Sequence, residues 1–236
     1  MQHYTRKWRP VMACAIALLA AVARAEWTAL HSAAYWNEEA KTKRLIGAGA
    51  FVDAVDNDGW TPLHEAARWG HVAVGRALLA GGASVRARNN EQQTPLHVAA
   101  EKGHVSMMKM LLGAGASVHA TSKDGHTPLF VAAENGHALM VKELLAARAN
   151  VHTTNEYKWT PLHVAAKSGH ADVVRELVAN GAELHALNSD NRTPVQEAHY
   201  WGRSEVVRLL DDAARVHLAR ARKQHEEEAA KLKQQH

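Results

Sequence analysis

The sequence predicts an all-α solenoid of stacked helical repeats, and three observations carry the prediction. A short phrase returns six times at a spacing of 33 residues, opening on Thr28, Thr61, Thr94, Thr127, Thr160 and Thr193. Behind each Thr come TALHSAA, TPLHEAA, TPLHVAA, TPLFVAA, TPLHVAA and TPVQEAH, followed by apolar residues at helical spacing. The array fills residues 27–213, so the chain gains its core by stacking units that each contact mainly their neighbours.

Residues 1–25 come first and read as a secretory signal. Arg6, Lys7 and Arg9 give a positive start, residues 11–22 form an apolar run of 12, and Ala23 and Ala25 are the small residues that flank a cleavage site. A helix that spans a bilayer needs about 20 apolar residues, so a removed leader is expected rather than an anchor. Cleavage after Ala25 would leave a chain that begins at Glu26, directly against the first repeat, in a secreted or periplasmic location. An organelle-targeting segment is the alternative, and the continuous apolar run opposes it. The single cysteine, Cys14, lies in this leader, so no disulfide or cysteine metal site is expected in the rest of the chain.

The repeats follow, starting near Trp27, Trp60, Gln93, His126, Trp159 and Arg192. In the third, Thr94 can cap a helix, and Pro95 sits where its missing N–H costs nothing. Leu96, Val98, Ala99 and Ala100 make a short helix whose small side chains allow close stacking, and Gly103 ends it. A second helix after His104 carries Met107, Met108, Leu111 and Leu112 and stops at Gly115. Residues 116–125 then run out and back as a finger. Each unit is thus helix, turn, helix, finger.

Two kinds of departure matter. Asn37-Glu38 and the polar run 39–44 in the first copy, and Gln196, Arg203 and Asp211-Asp212 in the last, mark caps on which nothing need stack. The array is therefore expected to be complete at six repeats within 26–213. Arg148 replaces the glycine found at Gly82, Gly115 and Gly181, while Gln92, Lys158 and Asn191 replace the turn glycine of Gly59 and Gly125. Where those sites need a positive φ, a side chain costs up to about 1–2 kcal/mol. The fourth unit's finger and those carrying Gln92 and Lys158 should be the looser parts. Residues 214–236 are helix formers without a heptad and are expected to make a charged, solvated helical extension, with a partner-binding helix as the alternative.

The phrase resembles the ankyrin repeat, whose pattern runs roughly D-x-x-G-x-T-P-L-H-x-A-A-x-x-G-H, then an apolar helix, then L-L-x-x-G-A. The resemblance covers residues 27–213, with the full motif in register in the central four copies. It implies antiparallel helix pairs stacked side by side, with β-hairpin-like fingers projecting at about a right angle. It also implies protein–protein binding and carries over no catalytic residue.

Chemistry is sparse elsewhere. The leader holds Arg6, Lys7, Arg9 and Arg24 and no acid, which leaves 24 basic against 24 acidic residues and no clustered basic footprint for nucleic acid. Eleven of the 17 histidines repeat at fixed places. His31, His64, His97 and His163 close the TPLH motif; His71, His104, His137 and His170 follow a helix-ending glycine; His119, His152 and His185 sit at a finger base. Neutral imidazole donates and accepts at once, which suits linking the Thr cap to loop backbone better than ligating a metal. His64-Glu65 lacks the second His of a zinc-protease signature, because Arg68 stands there. Ser32 and Ser168 have no base placed beside them. Asn191-Arg192-Thr193 fits the glycosylation pattern, with Pro194 behind it opposing modification.

The aromatic residues point to function. Trp27, Trp60 and Trp159 immediately precede the Thr; Trp36, Trp69 and Trp201 are ninth in the repeat; Tyr35 and Tyr200 are eighth, and Tyr157 lies at a finger tip. The resemblance places such variable positions in a concave groove, and interfaces are enriched in Trp, Tyr and Arg. The competing reading is architecture, with a Trp before the Thr packing on the next finger. The expected contact set is Trp60, Arg68, Trp69, Gln93, Glu101, Lys102, His126, Glu134, Asn135, Tyr157, Trp159, Lys167, Arg192, Tyr200 and Trp201. Its charged members would select the partner. The expectation is a non-enzymatic, monomeric protein-binding module without cofactor, metal, nucleic acid or membrane attachment after signal removal. A carbohydrate-binding module that uses the Trp stripe, or a non-catalytic subunit of an enzyme complex, are the alternatives.

Overall fold

The computed structural model describes residues 27–234, so the expected leader and its cleavage site lie outside the described residues. The chain divides into two compact units, Met1–Lys123 and Asp124–His236. The first holds α1 (Ala29–Tyr35), α2 (Glu39–Gly47), α3 (Pro62–Trp69), α4 (Val72–Ala80), α5 (Pro95–Glu101) and α6 (Val105–Gly113). The second holds α7 (Pro128–Glu134), α8 (Ala138–Ala146), α9 (Pro161–Ser168), α10 (Ala171–Ala179), α11 (Pro194–Tyr200) and α12 (Ser204–Gln234). Three repeats make each unit, and in each the first helices pack in one layer and the second helices in another.

The layers follow from side-chain size. Ala33, Ala34, Ala66, Ala67, Ala99 and Ala100 are fully buried in the first unit, and Ala132, Ala133, Ala165 and Ala166 match them in the second. Such small residues let first helices approach closely, while Leu78, Met107, Met108 and Leu111, or Met140, Leu144 and Leu177, fill the space beneath the second helices. The end helices differ as a cap should. In α2 only Thr42 is buried.

Each first helix starts on a Thr whose backbone is extended, and in every repeat but the fourth, where Phe130 stands, the fourth-position partner completes a capping box. Thr61 N–H donates to His64 Nδ1 at 3.1 Å, and His64 N–H donates back to Thr61 Oγ1 at 3.4 Å. His64 Nε2 lies 3.0 Å from the Gln93 carbonyl of the next repeat. A carbonyl only accepts, so Nε2 carries the proton and Nδ1 is free to accept from Thr61. The same imidazole link joins His31 to the Trp60 carbonyl and His163 to that of Arg192. The last repeat keeps the local half of this device: Gln196 Oε1 accepts the Thr193 N–H at 2.8 Å. A second link runs backward over 36 residues. His71, His104 and His170 reach the carbonyls of Tyr35, Arg68 and Glu134, and Arg203 Nε reaches that of Lys167 at 2.9 Å. The departures at Gln196 and Arg203 therefore preserve bonding while changing residue.

Positive φ falls in three columns of the repeat, among them all the substituted sites singled out from the sequence. Arg148 has φ 65° where Gly115 and Gly181 have 89° and 83°, and Gln92, Lys158 and Asn191 have 55–58° where Gly59 and Gly125 have 77°. Gly70 is needed for a further reason. A Cβ there would come within 2.9 Å of the His104 ring.

The fingers turn back on themselves through a backbone bond, as from Asp56 N–H to the Trp60 carbonyl at 3.0 Å. No strand is assigned among the described residues. Four of the fingers are organised by one side chain, an Asp or Asn at the same place in the repeat. Asp56 Oδ1 accepts the N–H of Asp58 and Trp60, and Asn89, Asn155 and Asn188 repeat the arrangement 33 residues apart or a multiple of it. Single backbone bonds then join neighbouring fingers within a unit, as from Asn90 N–H to the Asp58 carbonyl at 3.0 Å and from Ser189 N–H to the Tyr157 carbonyl at 2.9 Å. The C-terminal extension is continuous with the second helix of the last repeat, since α12 runs unbroken from Ser204 to Gln234.

Candidate functional site

In the first unit, α3 and the finger before it bring together Trp60, Arg68 and Trp69. Arg68 Cζ lies 5.3 Å from the Trp60 ring centre and 5.8 Å from that of Trp69, within cation–π range of both. Tyr35, left out of the expected set, meets Trp69 edge-to-face at 5.0 Å and continues the cluster to Trp27 and Trp36. Trp69 is 43% exposed and Trp36 68%, so both keep contact area for another molecule.

The second unit repeats the plan with different donors. Lys167 on α9 stands 5.2 Å from the Trp159 ring centre and 5.3 Å from that of Trp201. Arg192 lies 4.5 Å over Tyr200, which meets Trp201 edge-to-face at 5.5 Å. Tyr200 is 67% exposed and Trp201 47%. Trp69 and Trp201 thus stand at the end of a first helix, face solvent and flank a cation.

The tryptophans before the Thr do different work. Trp27, Trp60 and Trp159 are tilted against His31, His64 and His163 at ring distances of 5.4, 5.7 and 5.8 Å. His126 stacks on Phe130 in the same columns at 4.2 Å. Trp60 and Trp159 are half-buried. Each packs on the fourth residue of its own repeat, and Trp60 and Trp159 each have a cation over the ring as well.

Other members of the expected set are committed internally. Gln93 Oε1 accepts from Asn89 Nδ2 at 3.1 Å, Asn135 Nδ2 donates to the Val131 carbonyl at 2.9 Å, and His126 Nε2 lies 3.2 Å from Asn155 Nδ2. Glu101 and Lys102 pair with each other at 2.7 Å. Glu134 is exposed on α7, and Tyr157 stands 63% exposed on its finger.

Two acids beneath the clusters were not anticipated. Glu65 and Glu197 hold the same fifth position, are 3% and 1% exposed, and each has an Oε2 with no hydrogen-bond partner. Burial pushes the Glu65 carboxyl above the usual range, while the Arg68 charge and a Trp69 side-chain hydrogen bond pull it back. Glu197 Oε1 accepts from Asn188 Nδ2 at 3.0 Å and from Arg192 at 3.3 Å. The histidine links are also shifted. Burial lowers the His64 pKa to about 4 and also lowers those of His31 and His163, which favours the neutral ring that donates from Nε2 and accepts at Nδ1.

Among the described residues, no group of three or more His, Cys, Asp or Glu could hold a metal, and no helix is long and apolar enough to cross a membrane.

Comparison with known proteins agrees with this architecture. The family described as ankyrin repeats matches in three overlapping copies, residues 11–89, 78–155 and 129–219. The first copy begins inside the segment read as an export signal. No match to the chain was found among curated proteins. Ankyrin repeats generally mediate protein–protein interaction and are typically non-enzymatic. With the 33-residue period, the Thr caps, the histidine links and a match over most of its length, the chain belongs to the ankyrin repeat family.

Proposed function

We propose that the protein is a non-enzymatic binding module that grips another protein through the cation–aromatic clusters on its first helices and fingers. The observation that carries the reading is the pair Trp69 and Trp201. Both occupy the ninth column, both are between two-fifths and half exposed, and both have a cation against the ring. Large apolar faces left open to water are costly to maintain without use, and a Trp buries wide area with few rotatable bonds. Arg68 and Lys167 add charge selection to that area. Within each unit, helix ends fixed by inter-repeat bonds keep the cluster preformed, so binding orders little there.

The test is capture of the partner from the exported compartment by the wild-type protein and by a Trp69→Ala, Trp201→Ala double variant. The reading expects a protein recovered by the first and lost by the second. Equal recovery would refute it, and saturable quenching of tryptophan fluorescence by a glycan would favour the carbohydrate alternative.

The same proposal places the protein outside the cytosol, after removal of residues 1–25. Its support is the positive start, the apolar run and Ala23-Arg24-Ala25. N-terminal sequencing should begin at Glu26; an intact Met1 on cytosolic protein would overturn the location.

A further inference from the structure

The second unit carries a cation that no acid among the described residues neutralises. Lys167 is exposed, its ammonium lies between the Trp159 and Trp201 rings, and no carboxylate lies within 4.0 Å of it among the described residues. A ring face attracts positive charge without accepting a full hydrogen bond, so the three ammonium donors stay available to another molecule. Arg192 stands over Tyr200 and gives Glu197 a bond from one of its nitrogens. A guanidinium has five N–H donors, so it too keeps capacity. The rings beside these cations expose apolar area in one run, since Tyr200 touches Trp201.

We propose that this face of the second unit receives an acidic peptide segment of the partner. An Asp or Glu carboxylate pairs with Lys167, with Arg192 as a second cation, and an adjoining apolar or aromatic side chain covers Trp201 and Tyr200. The proposal rests on the protein-binding reading and adds the chemistry of the partner. A basic side chain in the same place would meet the like charge of the Lys167 ammonium, which lies 5.2 Å and 5.3 Å from the two indole centres. A nucleic-acid strand would need many phosphate contacts, and residues 26–236 carry 24 basic against 24 acidic residues.

The experiment is a selection from a random displayed peptide library against the immobilised full chain, run in parallel on Lys167→Glu. Wild type should enrich peptides with Asp or Glu next to an aromatic or leucine residue. A synthetic winner should lose at least about tenfold in affinity on Lys167→Glu and on Lys167→Met, keep most of it on Lys167→Arg, and weaken as salt rises. The Lys167→Glu selection should turn toward basic peptides. Because the side chain is exposed, the melts of these variants should match wild type. Winners that are neutral or basic, or acidic winners indifferent to Lys167→Glu, overturn this inference. In that event the protein-binding reading survives if the winners are lost on Trp69→Ala or Trp201→Ala. A selection that enriches nothing overturns both, and so does binding of a glycan or of oligo-dT, read as quenching at Trp201, in place of peptide.

Discussion

In the first unit one repeat supplies every member of the cation–aromatic trio; in the second, two adjacent repeats share it. Trp60, Arg68 and Trp69 come from the second repeat, and the buried Glu65 on the same helix feels the charge of Arg68. Lys167 draws Trp159 from its own repeat and Trp201 from the next, while the buried acid, Glu197, is spent on Arg192. What converges is a set of columns, the place before the Thr and the eighth and ninth positions, whatever residue fills them. What differs is the charge left over. An acid of its own helix partly offsets Arg68, and among the described residues no carboxylate pairs with Lys167.

The fourth-position column separates the units further, and acid should expose the difference most strongly. The first unit has His31 and His64 with lowered pKa values, whereas the second has His163 lowered and Phe130 and Gln196 in its other two places. A histidine depressed on folding leaves the unfolded chain binding more protons, so stability is full above the ordinary value and falls as pH drops below it. For His64 the window runs from 6.5 down to about 4. That is on the order of 3 kcal/mol from this ring alone. Hydrogen exchange at pH 7 and pH 4.5 should show the first unit losing protection before the second, and His64→Gln should flatten its pH dependence. Equal loss in both units would count against the link.

A smaller effect compares one glycine column across the units. Gly70→Ala adds left-handed strain and drives a Cβ to 2.9 Å from the His104 ring, which holds the Arg68 carbonyl. Gly202 has φ 69° and open space around it. We expect a loss of about 2–3 kcal/mol for Gly70→Ala and about 1 kcal/mol for Gly202→Ala, read from denaturant midpoints. Matching losses would mean that the ring yields freely.

Smaller still is Arg148→Gly in the second unit. Arg148 has φ 65° where its sister Gly181 has φ 83° and an empty surround. Glycine should stabilise the protein by up to about 1 kcal/mol, the relieved strain being partly offset by a freer unfolded chain. A midpoint that falls instead would show that the Arg148 side chain makes a contact worth more than its strain.

Much of the backbone was legible because it rests on a period. The Thr caps, the glycine columns and even the strained Arg148 follow from lining up copies 33 residues apart. The finger organiser at Asp56, Asn89, Asn155 and Asn188 stood in the same alignment, but its role lies in where one oxygen points, and the residue type alone signals only a turn. Glu65 and Glu197 were opaque for a different reason. A glutamate reads as surface, and only the packing of neighbouring repeats buries these two. The site was half legible. Columns identified the rings, yet the division of labour between half-buried Trp60 and Trp159 and exposed Trp69 and Trp201 depends on which ring lies against a fourth-position histidine.

The most direct measurement pairs a binding titration with a thermal melt for Trp201→Ala and Trp69→Ala. Both rings are more than two-fifths exposed, so truncation should leave the melt close to wild type. Partner affinity should fall by about 2 kcal/mol or more, roughly 30-fold, as for a central aromatic anchor. A buried packing Trp would behave in reverse, with about 3–5 kcal/mol lost from folding. Variants that melt early yet bind the partner normally when folded would contradict the account, because the exposed tryptophans would then be architecture and not a binding face.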